Sequence, residues 1–153
     1  MPSPDPMTLR TALFSVPDTS HPVDLGLLAL RVGAGLLLAF AHGLGKLPPS
    51  EGFISGTAEM GFPLPALFAW AAGLSEFVGG LLLAVGLATR PAAVFVAITM
   101  AVAFFGQHGA SVGEGEKALI FLVIVVALGF AGPGRYSLDH AIARRSRTVR
   151  GRR

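Results

Sequence analysis

His42 and Lys46 stand one helical turn apart in the stretch Phe-Ala-His-Gly-Leu-Gly-Lys-Leu, residues 40–47, at the close of a long apolar run. At i and i+4 an imidazole and an ammonium share one helix face, where together they can hydrogen-bond an acceptor and exchange a proton. Gln107 and His108 close a later apolar run, and Glu114, Glu116 and Lys117 follow shortly after. If both runs end on the same side, His42, Lys46, Gln107, His108, Glu114 and Glu116 converge on one outer-facing pocket. Three chemistries fit such a set. A quinone headgroup needs donors to its carbonyl oxygens and an ionisable neighbour, and His42, Lys46 and His108 would be the binding residues. Two imidazoles with a carboxylate such as Glu116 could take a metal, but no HxxxH or ExxH pair sits on a single helix, so no metal ligand is assigned. Two histidines from different helices could also ligate haem. Quinone is preferred, with haem and metal behind it. The plain alternative is that both histidines are interfacial residues at helix ends.

Two further charges lie deeper. Arg31 sits in the first apolar run and Glu76 in the second, where an unpaired charge costs at least about 3 kcal/mol. At 1.5 Å per residue Arg31 is ~10 Å past Asp24 and Glu76 ~17 Å past Pro65, so in an ~30 Å core their levels nearly coincide. The spacing predicts an intramembrane ion pair between Arg31 and Glu76. Ala69, Ala72, Gly73 and Gly80 share the face of Glu76, and small residues let helices approach closely in lipid. Arg31 shares a face with Gly35 and, eleven residues on, with His42, since eleven steps of about 100° return almost to the starting angle. Such a pair could fix helix register alone or also tune the pocket.

The elements that must position these groups are membrane helices. The chain of 153 residues is 52% hydrophobic and 14% charged, with a mean hydropathy of +0.65. Four apolar stretches stand out: Leu25 to Ala41, Pro65 to Leu87, Pro91 to Phe105 and Ala118 to Ala131. With their flanks each approaches the length of a bilayer crossing, which predicts an all-α, polytopic membrane four-helix bundle. Seven of the twelve basic residues follow Pro133, so the C-terminus is placed in the cytoplasm, and four crossings return the N-terminus to the same side. Residues 1–23, rich in proline, read as a mobile tail, 24–142 as the membrane domain and 143–153 as a basic cytoplasmic tail. That tail sets topology near lipid headgroups; no nucleic-acid-binding fold accompanies it. A short interfacial helix is expected over Phe53 to Met60, and Thr89-Arg90-Pro91 is expected to form a tight turn. With no cysteine in the chain, any thiol chemistry belongs to a partner.

The order Leu30-Arg31-Val32-Gly33, His42-Gly43-Leu44-Gly45-Lys46-Leu47, Ala72-Gly73-Leu74-Ser75-Glu76-Phe77-Val78-Gly79-Gly80, Gly86-Leu87-Ala88-Thr89-Arg90 and Gly132-Pro133-Gly134-Arg135-Tyr136-Ser137-Leu138-Asp139 resembles the DoxX family of small four-helix inner-membrane proteins. The resemblance implies a multi-pass protein of a bacterial-type cytoplasmic membrane. It implies relatedness to a membrane subunit of a thiosulfate:quinone oxidoreductase, with redox or thiol-handling protein partners. Arg31, His42, Lys46 and Glu76 fall on the family's recurrent polar positions. The expected function is therefore a quinone-interacting component of a membrane oxidoreductase system. A non-enzymatic scaffold that stabilises partners is the alternative, a small-molecule transporter a third, and the glycine-rich faces leave a homo-oligomer open.

Overall fold

The computed structural model describes residues 20–150, with side chains as far as residue 145. Among the described residues all regular structure is helical, and proline and glycine set most of its boundaries. Helix α1, His21–Lys46, carries Pro22 in its first turn, where a missing N–H breaks no intrahelical bond, and ends before Pro48-Pro49. It is α-helical to Leu36, π-helical over Leu37–Gly43 and closes with a 3-10 turn, Leu44–Lys46. The short α2, Glu51–Glu59, is capped by Ser50, whose hydroxyl accepts from the Phe53 N–H at 3.2 Å. Helix α3, Pro65–Val85, begins on a proline and stops at Gly86, whose φ of 69° suits a residue without a Cβ. Helix α4 is Thr89–Gln107, with π turns over Val102–Gln107. Helix α5 spans Val112–Ala131 and α6 Leu138–Arg150.

Helices α1, α3 and α4 are each long and apolar enough to cross a membrane. Helix α5 packs along α4 to complete a bundle of four long helices, but carries Glu114, Glu116 and Lys117 near its start. The side-chain distribution is the reverse of a soluble bundle. Arg31 and Glu76 are each 1% exposed, while Phe95, Phe105, Val123 and Phe130 face outward. In lipid an apolar side chain gains little by turning inward, so association depends on close packing. Along α1 and α3 that packing is backbone on backbone: a Cβ on Gly35 would lie 2.5 Å from the Gly80 carbonyl oxygen. Leu38, Leu83, Val96, Met100 and Val125 fill the space between the helices. The protein is an all-α, multi-pass membrane protein.

Several boundaries move from those expected. Helix α1 starts at His21 and runs beyond Ala41 to Lys46, and α5 starts at Val112 instead of Ala118. Apolarity marks where a helix meets lipid, whereas the helix itself ends only where the backbone turns, here at Gly109 and Ala110, both at positive φ. Thr89-Arg90-Pro91 forms the first turn of α4, and the tight turn lies before it at Gly86 to Ala88. The short helix expected at Phe53 to Met60 forms two residues earlier, where Ser50 supplies the cap. Of the N-terminal tail, residues 1–19 lie outside the described residues, and His21 to Val23 are already helical. Helix α6, which takes in the basic tail to Arg150, was not expected; residues 151–153 lie outside the described residues.

Candidate functional site

The close approach of α1 and α3 determines which groups meet at the end of the bundle that carries the connections 47–64 and 108–111. A regular helix would keep His42 on the face of Arg31. The π turns put more residues into each turn and shift the register. Gly43 consequently takes the contact with α3, where a Cβ would lie 2.8 Å from the Glu76 carbonyl carbon. His42 turns toward α5 instead, its ring edge-on to Phe121 with 5.4 Å between centroids. Lys46, one turn further, donates from Nζ to Oε1 of Glu76 at 2.5 Å. The Phe53 ring of α2 lies over the same ammonium, 5.4 Å from it.

His42, Lys46 and Glu76 line one cavity of about 340 Å³, with Met100 and Ala103 of α4, His108 of the following turn, and Glu114, Glu116, Lys117 and Phe121 of α5. Both helices that bring in a histidine change to π geometry just before it, at Leu37–Gly43 and Val102–Gln107, and such turns often mark sites. His42, Lys46, His108 and Glu116 are thus brought together, whereas Gln107 is exposed and not among the lining residues. Glu76, assigned from sequence to a different partner, belongs to this cavity. Its Oε2 is buried and has no hydrogen-bond partner, an unusual state for a carboxylate oxygen in an apolar bundle. Among the described residues no group of three or more His, Asp or Glu side chains is arranged to hold a metal ion.

The ion pair expected between Arg31 and Glu76 does not form. Arg31 donates through Nη1 to the Pro133 carbonyl and through Nη2 to the Tyr136 carbonyl at 2.7 Å. Their levels do not coincide: Gly35 meets Gly80 and Ala84 and Gly43 meets Glu76, so Arg31 lies beside Gly86 at the end of α3, about three helical turns from Glu76. Side chains lean toward the N-terminus of their own helix, and α1 and α3 are antiparallel, so Arg31 and Glu76 lean to opposite ends of the bundle. Lys46, near the C-terminal end of α1, leans back toward Glu76 and completes the pair that Arg31 cannot reach.

Arg31 instead anchors a polar latch at the other end. Asp139 accepts from the backbone N–H groups of Ala88 and Thr89 at 2.8 and 2.9 Å and from the Thr89 hydroxyl at 3.0 Å, capping α4 from a distant part of the chain. Asp24 accepts from the Arg135 N–H at 2.9 Å. Sequence reading missed both acids. The available signal was that Ala88 is a poor cap for a helix beginning at Thr89, which leaves a need for an outside acceptor.

A family model described as DoxX matches residues 26–109, more than half of the chain. The chain belongs to the DoxX family. This DoxX protein is 32% identical over 118 residues to "Putative oxidoreductase CatD" of Bacillus subtilis (strain 168), covering 76% of the chain and 86% of that relative. It is also 32% identical over 123 residues to "Inner membrane protein YphA" of Escherichia coli (strain K12), covering 74% and 87%. A third similarity, 32% over 129 residues, is to "Inner membrane protein YqjF" of the same strain, covering 78% and 93%. No solved structure matches the chain. The matched family region contains Arg31, His42, Lys46, Glu76 and His108, but stops short of Glu116 and of the segment that Arg31 holds.

Proposed function

We propose that this DoxX protein is a redox-linked component of the bacterial inner membrane whose cavity receives the headgroup of a quinone. The observation that carries this reading is Glu76: buried, bound to Lys46 through one oxygen and unpartnered at the other, it faces a cavity that two imidazoles also line. The residues fit the group. A volume of about 340 Å³ is of the order of small ligand pockets. Lys46, His42 and His108 supply donors suited to carbonyl oxygens, while Glu76 Oε2 is an acceptor able to hold a proton. A bound quinone would supply two-electron, two-proton carbonyl chemistry. The chain's own part is to orient the headgroup, exclude lipid from it, and move a proton between Glu76 and the His42 or His108 ring. Without cysteines it brings no thiol couple of its own, so a partner protein would deliver the electrons.

The names of the relatives, which include an oxidoreductase and inner-membrane proteins, support this placement. We place both termini in the cytoplasm, with α5 as the fourth crossing, on the arginine excess after Pro133. The test is to purify the protein in mild detergent, identify bound small molecules by mass spectrometry and record an absorption spectrum. Retention of a quinone, reduced in His42→Ala, is expected. A colourless protein that is empty and also fails to bind added decylubiquinone or a menaquinone in nanodiscs would overturn the reading and favour a scaffold.

A further inference from the structure

Helix α6 takes no part in the cavity, and its chemistry differs from that of the other helices. Over thirteen residues it carries Arg144, Arg145, Arg147 and Arg150 and one carboxylate, Asp139. That carboxylate is buried against the start of α4, where Ala88 and Thr89 donate to it, so by sequence every other charged residue of the helix is an arginine. Leu138 and Ile142, one turn apart, are exposed, as is Tyr136 just before the helix; Val149 recurs seven residues after Ile142. Apolar residues at that spacing form a single stripe; by helical position Arg145 borders it on one side, Arg150 lies round the other, and Arg144 and Arg147 fall on the opposite half. Low overall apolarity with a narrow stripe and a basic border suits a helix that lies in an interface, stripe toward the acyl chains and guanidinium groups toward phosphates.

The latch determines where that helix starts. The Asp139 N–H donates to the Gly86 carbonyl at 2.9 Å, Ser137 Oγ donates to the Gly134 carbonyl at 2.7 Å, and Arg31 holds the Tyr136 carbonyl. The first turn of α6 is thereby fixed beside the ends of α3 and α5, at the level where membrane-spanning helices leave the hydrocarbon. We propose that α6 lies in the headgroup layer there and binds anionic phospholipid through its arginines. Charge complementarity and the fixed first turn together select this occupant. Each arginine near an anionic surface shifts the balance between docked and lifted helix roughly fivefold, so three together shift it by about a hundredfold.

The test uses the full chain with Trp70→Phe and Ile142→Trp, which leaves a single tryptophan, on α6. It is reconstituted in nanodiscs of phosphatidylcholine alone or mixed with phosphatidylglycerol, with brominated acyl chains as quencher. Docking predicts blue-shifted, strongly quenched emission in phosphatidylglycerol, weaker quenching in phosphatidylcholine, and loss of the difference at high salt. Adding Arg145→Gln, Arg147→Gln and Arg150→Gln should bring the phosphatidylglycerol signal to the phosphatidylcholine level while the circular dichroism and elution of the protein are unchanged. Water-exposed emission in both lipids, or equal quenching in both whether or not the arginines are present, would overturn the proposal. So would an arginine-dependent response to short RNA in phosphatidylcholine discs with none to phosphatidylglycerol.

Discussion

Lys46→Met isolates a carboxylate that has nowhere to go. Glu76 is 1% exposed and Lys46 is its one ion-pair partner among the described residues, so losing the ammonium leaves a buried charge uncompensated, at a cost of about 3–5 kcal/mol. Glu76→Gln is milder. Lys46 keeps a third of its side-chain surface exposed and its contact with Phe53, so that change should cost about 1 kcal/mol. The double variant removes both charges and should lose about 1–2 kcal/mol, less than Lys46→Met alone, which makes the coupling between the two residues about 2–5 kcal/mol. Arg31 supplies the contrast. Its partners are the carbonyls of Pro133 and Tyr136, so Arg31→Met and Glu76→Gln should add to within about 0.5 kcal/mol. Unfolding by sodium dodecyl sulfate in mixed micelles, followed by circular dichroism, measures all five variants. Additivity for Lys46 with Glu76, together with strong coupling of Arg31 to Glu76, would refute the geometry described above and restore the pairing predicted from depth alone.

Other consequences are simpler to read. Gly43→Ala places a Cβ against the backbone of Glu76 and Phe77 and should cost about 1–3 kcal/mol in the same unfolding assay, whereas Gly45→Ala, with nothing within 4 Å, should be close to neutral. Asp139→Ala removes the cap on α4 and should cost about 1–2 kcal/mol, with faster hydrogen exchange at Ala88 and Thr89 in particular. Exchange that is unchanged at those two amides would mean the cap is not formed in the membrane. Ser75→Ala, which removes one acceptor of the Thr99 hydroxyl at 2.9 Å and leaves it the Phe95 carbonyl at 3.2 Å, should cost no more than about 1 kcal/mol and leave any quinone retention intact, because neither Ser75 nor Thr99 lines the cavity.

Much of the site was legible in the residues because helices constrain depth so tightly. His42 and Lys46 close the first apolar run and His108 the third, and residues that end two helices running in the same direction must meet at one end of a small bundle. The small residues on the face of Glu76 likewise announced a close helix contact, and Ala69, Gly73 and Gly80 are buried there, with Ala72 partly so. The Arg31 pairing failed for a reason that counting residues along an axis does not contain. Each depth was counted from the edge of its own apolar run, but the stagger of α1 on α3 is set by which glycines meet, Gly35 on Gly80 and Gly43 on Glu76, and the opposite directions of the two helices then turn the side chains further apart. The π turns were invisible for a related reason: nothing in Leu37 to Gly43 forbids a regular helix.

The sequence by itself determined that this chain is helical, membrane-spanning and a DoxX protein, because apolar length, proline and glycine placement and motif order are local properties. Only the tertiary structure decided that Lys46 and not Arg31 neutralises Glu76, that Gly43 and not His42 faces α3, and that Asp139 caps α4 across fifty residues of chain. Each of those outcomes depends on the direction and register in which two distant segments meet. Such relations belong to pairs of helices, and no single stretch of residues carries them.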